Sequence, residues 1–388
     1  MAFLSLKNIL GLSSAFALVL ITACGSGSGG QSSVSDPPPP GSPSPPPPPP
    51  PADGGSTAAI AGVTFDAASH RREAQGSDNW PLTWSDDDNQ YAIWGDGGGF
   101  GGTESDGRAS LGVARIEGDG EDYRGVNRYG GVSGECQSSI DGKAHGAPLS
   151  VGGVLYAWIT PASGAAGYDQ FTLHRSNDKG CAWTRLDVTF TQARDHISYG
   201  SFVQFGKNNG AAPDAYLYTV ATEVADTSSL DIVQRPGRVM LVRVPALAIE
   251  DRGAYEFFAG LDSTGQPEWS ADPANRFAIY EDSDGVGPFP QMTFVPGLER
   301  MVYTNQHGSG SGSEATQSLL TMAEAPQPWG PWTVFFHDRF APELEHSVFQ
   351  WSFAPKWFRN GGLEFTLVFS GTGSNDSWNT IDGAFTTQ

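Results

Sequence analysis

The chain predicts an all-β fold assembled from many short strands, and three observations carry that expectation. Apolar residues come in short runs rich in Val, Tyr, Phe and Trp, such as Val154-Leu155-Tyr156-Ala157-Trp158 and Glu364-Phe365-Thr366-Leu367-Val368-Phe369. Clusters of Gly, Asn, Asp and Pro separate these runs, as turns between strands require. No long stretch repeats apolar residues at helical spacing. Strands at such regular intervals from Ala58 to Gln388 suggest a β-propeller more than a sandwich, because a propeller spreads many small sheets around one axis.

Composition narrows the function. Of 388 residues, 22 are Lys or Arg and 43 are Asp or Glu, a formal charge of -21 that leaves no basic excess to neutralise nucleic-acid phosphates. Residues 1–23 read as a signal peptide: Lys7 precedes an apolar stretch, Ile9 to Ile21, that is shorter than a bilayer span. Ile21-Thr22-Ala23-Cys24 resembles a bacterial lipobox, which implies cleavage before Cys24, lipidation of Cys24 and anchoring in the outer membrane of a Gram-negative cell. Residues 24–57 form a Gly/Ser/Pro-rich linker in which twelve of the fifteen residues from Pro37 to Pro51 are proline. At roughly 3.1 Å per residue in polyproline II geometry, that tract is a spacer of roughly 45 Å. Residues 58–388 remain as one catalytic domain, expected as a monomer.

Within it, Ser176-Asn177-Asp178-Lys179-Gly180-Cys181-Ala182-Trp183 looks like the Asp-box turn of sialidase-like propellers, so Asp178 is read as structural. Anchored on that turn, one blade runs from about His145 to Asp187, with strands at Leu155–Ile159, Phe171–Arg175 and near Trp183. The next holds Ser201–Phe205, Ala215–Thr222 and Arg238–Val244, and a later one Phe289–Val295 and Met301–Asn305. Five blades are counted this way, with Tyr255–Tyr280 unassigned. Ile60–Phe65 is expected to pair with Ile381–Thr386 and close the ring.

Gly76-Ser77-Asp78-Asn79-Trp80-Pro81-Leu82-Thr83-Trp84, Trp94-Gly95-Asp96-Gly97-Gly98-Gly99-Phe100-Gly101-Gly102, Gly142-Lys143-Ala144-His145-Gly146, Val286-Gly287-Pro288-Phe289-Pro290-Gln291 and Tyr303-Thr304-Asn305-Gln306-His307-Gly308 together resemble the propeller-type ulvan lyases. The resemblance implies seven blades, no required cofactor, and β-elimination on the uronate of an anionic sulfated polysaccharide. A base takes the C5 proton, a cation neutralises the carboxylate and an acid protonates the leaving oxygen. It places His145, Tyr218, Arg235 and Tyr280 in catalytic roles, with Arg238 able to exchange with Arg235 and the base and acid unassigned between His145 and Tyr218. His174, Arg238, Gln291, His307, Asn79 and Trp80 are expected to bind substrate. GlcA and IdoA remain alternatives.

Two other readings stand beside it. Propellers with a similar Trp-Gly-Asp-Gly element include glycoside hydrolases, and Asp78, Asp87 and Asp96 could supply their acid pair; a non-catalytic propeller could stack sugars on Trp. The glycines from Gly95 to Gly102 are read as a tight turn, since no Lys-Ser/Thr follows to cradle phosphate. Cys136 and Cys181 are expected to form a disulfide, with a structural metal site as the alternative. If Cys24 carries the lipid, Cys24→Ala moves the protein out of the membrane fraction, as read by fractionation and immunoblotting.

Overall fold

The computed structural model describes residues 59–388 apart from 137–139, 141, 145, 162–167, 226–232, 309–317, 345–346 and 372–375. The signal segment, Cys24, the whole Pro-rich linker and His145 lie outside the described residues. The apolar runs become strands, and antiparallel pairing gathers them into five sheets, each a blade.

The first strand, β1 (Ile60–Glu73), belongs to the last blade. Blade I holds β2 (Leu82–Trp84), β3 (Gln90–Trp94), β4 (Gly112–Glu117) and β5 (Arg124–Tyr129). Blade II holds β6 (Lys143–Ala144), β7 (Leu149–Val151), β8 (Val154–Thr160), β9 (Gln170–Ser176) and β10 (Thr184–Thr191), with β6 and β7 both pairing β8. Blade III holds β11 (Ile197–Phe202), β12 (Tyr216–Glu223), β13 (Gly237–Pro245), β14 (Glu256–Leu261), β15 (Pro267–Ser270) and β16 (Ala278–Asp282). Blade IV holds β17 (Gln291–Val295), β18 (Arg300–Gln306), β19 (Leu319–Ala325) and β20 (Thr333–Arg339). Blade V holds β21 (Phe349–Phe353), β22 (Glu364–Ser370) and β23 (Trp378–Thr387), and β1 is its outermost strand.

The count is five, as the strand runs indicated, and the seven implied by resemblance is corrected. Tyr255–Tyr280 adds no blade because its strands extend blade III: β14 pairs β13 at Val242 and Arg243, while β16 pairs the other end of β13 from Gly237 to Met240. Ring closure follows the expected pairing, with Val63 opposite Phe385, Phe65 opposite Gly383 and, past a bulge after Asp66, Glu73 opposite Trp378.

Blades stack face to face, so strands near the axis are covered on both sides and read as continuous apolar runs rather than alternating ones. β3 and β8 are buried almost throughout, whereas the outermost β20 is exposed along most of its length. Five of the six core clusters among the described residues each lie between neighbouring blades. Trp158, Phe171 and Phe202 fill the II–III interface, Tyr218, Leu241 and Met301 the III–IV interface, and Trp351, Phe365 and Phe385 the IV–V interface. Trp80, Trp94 and Trp378 fill V–I, and Ile93, Val113 and Ala157 fill I–II.

The Asp-box turn between β9 and β10 is structural. Asp178 Oδ1 accepts from Ser176 Oγ (2.8 Å) and Ala182 N (2.9 Å), and Gly180, at φ +87°, sits where a Cβ would lie 2.6 Å from Val113 Cγ1 of blade I. Burial opposes ionisation there, but these bonds hold the Asp178 carboxyl below its usual range. Arg128 of β5 donates to the carbonyls of Asp178 (3.0 Å) and Lys179 (3.2 Å). Beside this clamp Cys136 and Cys181 form the expected disulfide, with their Cα atoms 5.3 Å apart, and it fastens blade I to blade II. A bridge closing a loop of this separation, 45 residues, typically contributes about 2–4 kcal/mol. Cys136→Ser with Cys181→Ser should therefore lower the denaturation free energy by about that amount in urea titrations while leaving the far-ultraviolet spectrum unchanged.

Candidate active site

Every innermost strand starts at the same end of the ring, and the connection from the second to the third strand of each blade returns there. That rim collects Asp78 just before β2, Asp96 just after β3 and Asp376 just before β23. Because Glu73 pairs with Trp378, the chain leaving β1 runs directly beside the residues entering β23, and Gly76 N donates to Asp376 O at 2.5 Å. Asp78 then exchanges two main-chain bonds with Gly95, N to O at 2.9 Å and O to N at 2.8 Å. A Cβ on Gly95 would lie 2.8 Å from Asp78 Oδ1, so glycine is what lets the carboxylate approach this strand end.

The glycine-rich loop is a tight turn whose amides are consumed internally. Gly99 N donates to Ser77 Oγ (2.8 Å) and Phe100 N to Asn127 Oδ1 (3.0 Å), while Asn127 Nδ2 donates to the carbonyls of Phe100 and Val132, each at 2.9 Å. Asp96, at φ +49°, leaves this turn with Arg108 Nη2 3.4 Å from its Oδ1, and Arg108 also pairs with Glu104.

Burial pushes the half-buried Asp78 carboxyl well above its usual range, and the like charges of Asp376 and Asp96 push further in the same direction; Arg108 opposes them. Asp376 is raised for the same first reason, with Glu104 and Asp96 adding to it. Asn79 Nδ2 donates to Asp78 Oδ1 at 3.1 Å, and the buried Asn79 Oδ1 has no hydrogen-bond partner among the described residues. The rim thus holds two carboxyls biased towards the protonated form beside a third that is ion-paired, a combination suited to proton donation next to an anionic base or nucleophile.

Sequence reading found Asp78 and Asp96 as candidates, and the structure brings them together. It sets Asp87 apart, in the β2–β3 turn at the opposite end, where Tyr91 Oη (2.7 Å) and Asn89 N (3.2 Å) donate to it. Asp376 was missed: it lies 298 residues from Asp78 in a Gly/Ser/Asn stretch, and only the closure register reveals it.

Of the lyase constellation, His145 lies outside the described residues, and the structure sets Tyr218 apart from Arg235. Tyr218 is buried in the III–IV core near the start of β12, and its hydroxyl donates to Asp214 Oδ2 at 2.7 Å. Burial, then Asp214, pushes its phenol far above the usual range. Five residues of extended chain, about 17 Å, separate it from Glu223 at the rim. Arg235 lies beyond Glu223, exposed, in a cleft of about 230 Å³ with His196, Glu223 and Arg276. Arg238 is paired with Glu223 (3.4 Å) and Glu281 (3.0 Å). Tyr280 donates to Asp282 Oδ2 at 3.1 Å, and burial raises its phenol too.

Among the expected substrate contacts, Trp80 is in the V–I core, donating to Ser77 O at 3.0 Å and meeting Trp378 edge-on at 5.4 Å. Gln291 links inner strands by accepting from Ser201 Oγ at 3.1 Å. His174 is buried on β9 with Nδ1 3.1 Å from Thr172 O, and burial holds it below its usual range. Asn79 positions Asp78. His307 lies on the rim of blade IV beside His337 and Asp284, and this group, rather than the disulfide-bonded cysteines, offers metal ligands.

No family model and no curated protein sequence matches the chain. Among solved structures it is similar to the GH43_1 enzyme from Xanthomonas citri, with a TM-score of 0.46 and 14% identity, covering 80% of this chain and 87% of that one. It is also similar to RS223-β-xylosidase (TM-score 0.44, 13% identity, 80% and 95% covered). A third is the α-L-arabinofuranosidase PaAbf62A from Podospora anserina (TM-score 0.43, 8% identity, 84% and 97% covered). The likeness to these neighbours is one of fold; Tyr218 lies in the III–IV core, bonded to Asp214, and on that placement the lyase reading, with ulvan as its substrate, is corrected. If Tyr218 serves the core, Tyr218→Phe should cost roughly 1.5–3 kcal/mol, the loss of a hydrogen bond to a charged group, in urea denaturation.

Proposed function

We propose that the chain is a glycoside hydrolase whose proton-transfer machinery is the carboxylate group Asp78, Asp96 and Asp376. The observation that carries this reading is the split environment on one rim: burial and like charge favour a protonated Asp78, while Arg108 pairs with Asp96. In this assignment Asp78 protonates the leaving glycosidic oxygen, Asp96 serves as base or nucleophile, and Asp376, whenever it is ionised, disfavours a second charge on Asp78. Asn79 positions the donor.

A neutral polysaccharide is the substrate class that fits. A net charge of -21 repels polyanions, and three of the rim arginines that could offset it are committed to carboxylates: Arg108 to Asp96 and Glu104, Arg238 to Glu223 and Glu281, Arg276 to Glu223. Export through the Cys24 anchor would present the site to polymers outside the cell; this part of the proposal rests on the lipobox-like motif alone.

The test uses neutral plant and microbial polysaccharides, reading reducing ends and absorbance near 235 nm. Asp78→Asn should abolish reducing-end release, a loss of at least about 10²–10⁴-fold for a general acid. It should also raise stability at neutral pH. An acid whose folded pKa lies above its unfolded value loses stability as pH rises from the unfolded to the folded pKa, so removing the ionisable group removes that penalty. Asp376→Asn should move the alkaline limb of the pH–rate profile to lower pH, because one like charge beside Asp78 is gone. An active, well-folded Asp78→Asn protein would sink the assignment, and polymer binding without cleavage by the wild type would leave a carbohydrate-binding propeller instead.

A further inference from the structure

A second cluster of chemistry-bearing groups lies on blade IV. It joins three separate pieces of chain: Asp284 in the β16–β17 connection, His307 just after β18, and His337 on the outer strand β20. Strand register sets the two histidines side by side, since Gln306 is opposite Leu320 and Thr321 is opposite His337. Main-chain bonds from His307 N to Leu319 O (3.2 Å) and from Gly308 N to Asp284 O (3.3 Å) hold the three pieces in place. One ligand atom from each of the three side chains lies within 4.8 Å of the others.

Two features go beyond a chance meeting of polar side chains. The first is His307: its ring is 7% exposed, it stacks on His337 with centroids 3.6 Å apart, and its Nε2 has no hydrogen-bond partner among the described residues. A buried ring nitrogen without a partner carries a desolvation cost that a ligand would remove. The second is the support around His337. Thr321 Oγ1 lies 2.9 Å from its Nδ1 and can accept that N–H, which leaves Nε2 as a lone pair 3.2 Å from Asp284 Oδ2. Outer hydrogen bonds of this kind fix the tautomer of metal-binding histidines. Asp282 Oδ2, 3.7 Å from Nδ1, adds negative charge behind the ring.

We propose that Asp284, His307 and His337 form a binding site for a divalent transition-metal ion of the zinc class. Two imidazole nitrogens and one carboxylate oxygen match zinc rather than calcium or magnesium, which take oxygen ligands. Asp284 and His337 are exposed, so a fourth position opens to solvent. The ion pins the β16–β17 connection, which leaves blade III, to two strands of blade IV. Its role is independent of the hydrolase reading.

The test is calorimetric titration of untagged, chelator-stripped protein with zinc chloride, alongside thermal melting with and without zinc. The wild type should bind one equivalent and melt at a higher temperature with zinc. His337→Ala and Asp284→Asn, both surface changes, should each weaken binding by at least about tenfold and abolish the zinc-dependent rise in melting temperature. Excess calcium should not displace the ion. Absence of saturable binding, equal binding by wild type and both variants, or displacement by calcium would overturn the site.

Discussion

The pairing of β1 with β23 is the constraint on which the rest of the molecule depends. It joins the first described strand to the last, and its register places Glu73 opposite Trp378. The chain must then turn at Ala74–Gly76 and enter blade I beside the segment that enters β23. Asp78 and Asp376 become neighbours only through this closure. The device that completes the ring also assembles the candidate catalytic group, so a register slip would disperse the site as well as open the sheet edge.

Closure holds because the V–I interface beneath it is dense. Trp80 packs against Trp94 at 5.8 Å and meets Trp378 edge-on, while Trp378 Nε1 donates to Tyr123 Oη at 2.9 Å. These rings come from β3, from the lead-in to β2 and from the start of β23, the same pieces of chain that carry Asp96, Asp78 and Asp376. Buried aromatic side chains of this size are each worth several kcal/mol against truncation. Rotation of one carboxylate-bearing segment is therefore resisted by the packing of the residue next to it.

The fold was legible because blade strands are short, apolar and punctuated, and because the Asp-box fixed the frame of one blade. Blade III was harder: β14 to β16 read as an unassigned stretch, since strand pattern does not say whether a new strand extends a sheet or begins another. The site was legible in part. Trp94-Gly95-Asp96-Gly97 and Ser77-Asp78-Asn79 stand out locally, whereas Asp376 is brought in by a main-chain bond from Gly76, 300 residues away. Tyr218 was misplaced because two-residue periodicity gives the face of a strand and says nothing about its depth between the two ends. Trp80 was misread because an aromatic next to a catalytic-looking aspartate can floor a site as well as line it.

The rim also shows how a propeller tolerates acids crowded together. An ionised, half-buried Asp78 near Asp96 and Asp376 destabilises the fold, and the bias towards protonation is the form this cost takes. Arg108 relieves the exposed side through Asp96 and Glu104, but the inner pair has no such counter-ion among the described ion pairs. What holds it is backbone: the reciprocal bridge between Asp78 and Gly95 and the bond from Gly76 N to Asp376 O fix the segments by groups that do not titrate. The geometry is consequently independent of the protonation state it controls. That separation is what a proton donor needs, since its position must survive both the loss and the recovery of the proton in each turnover.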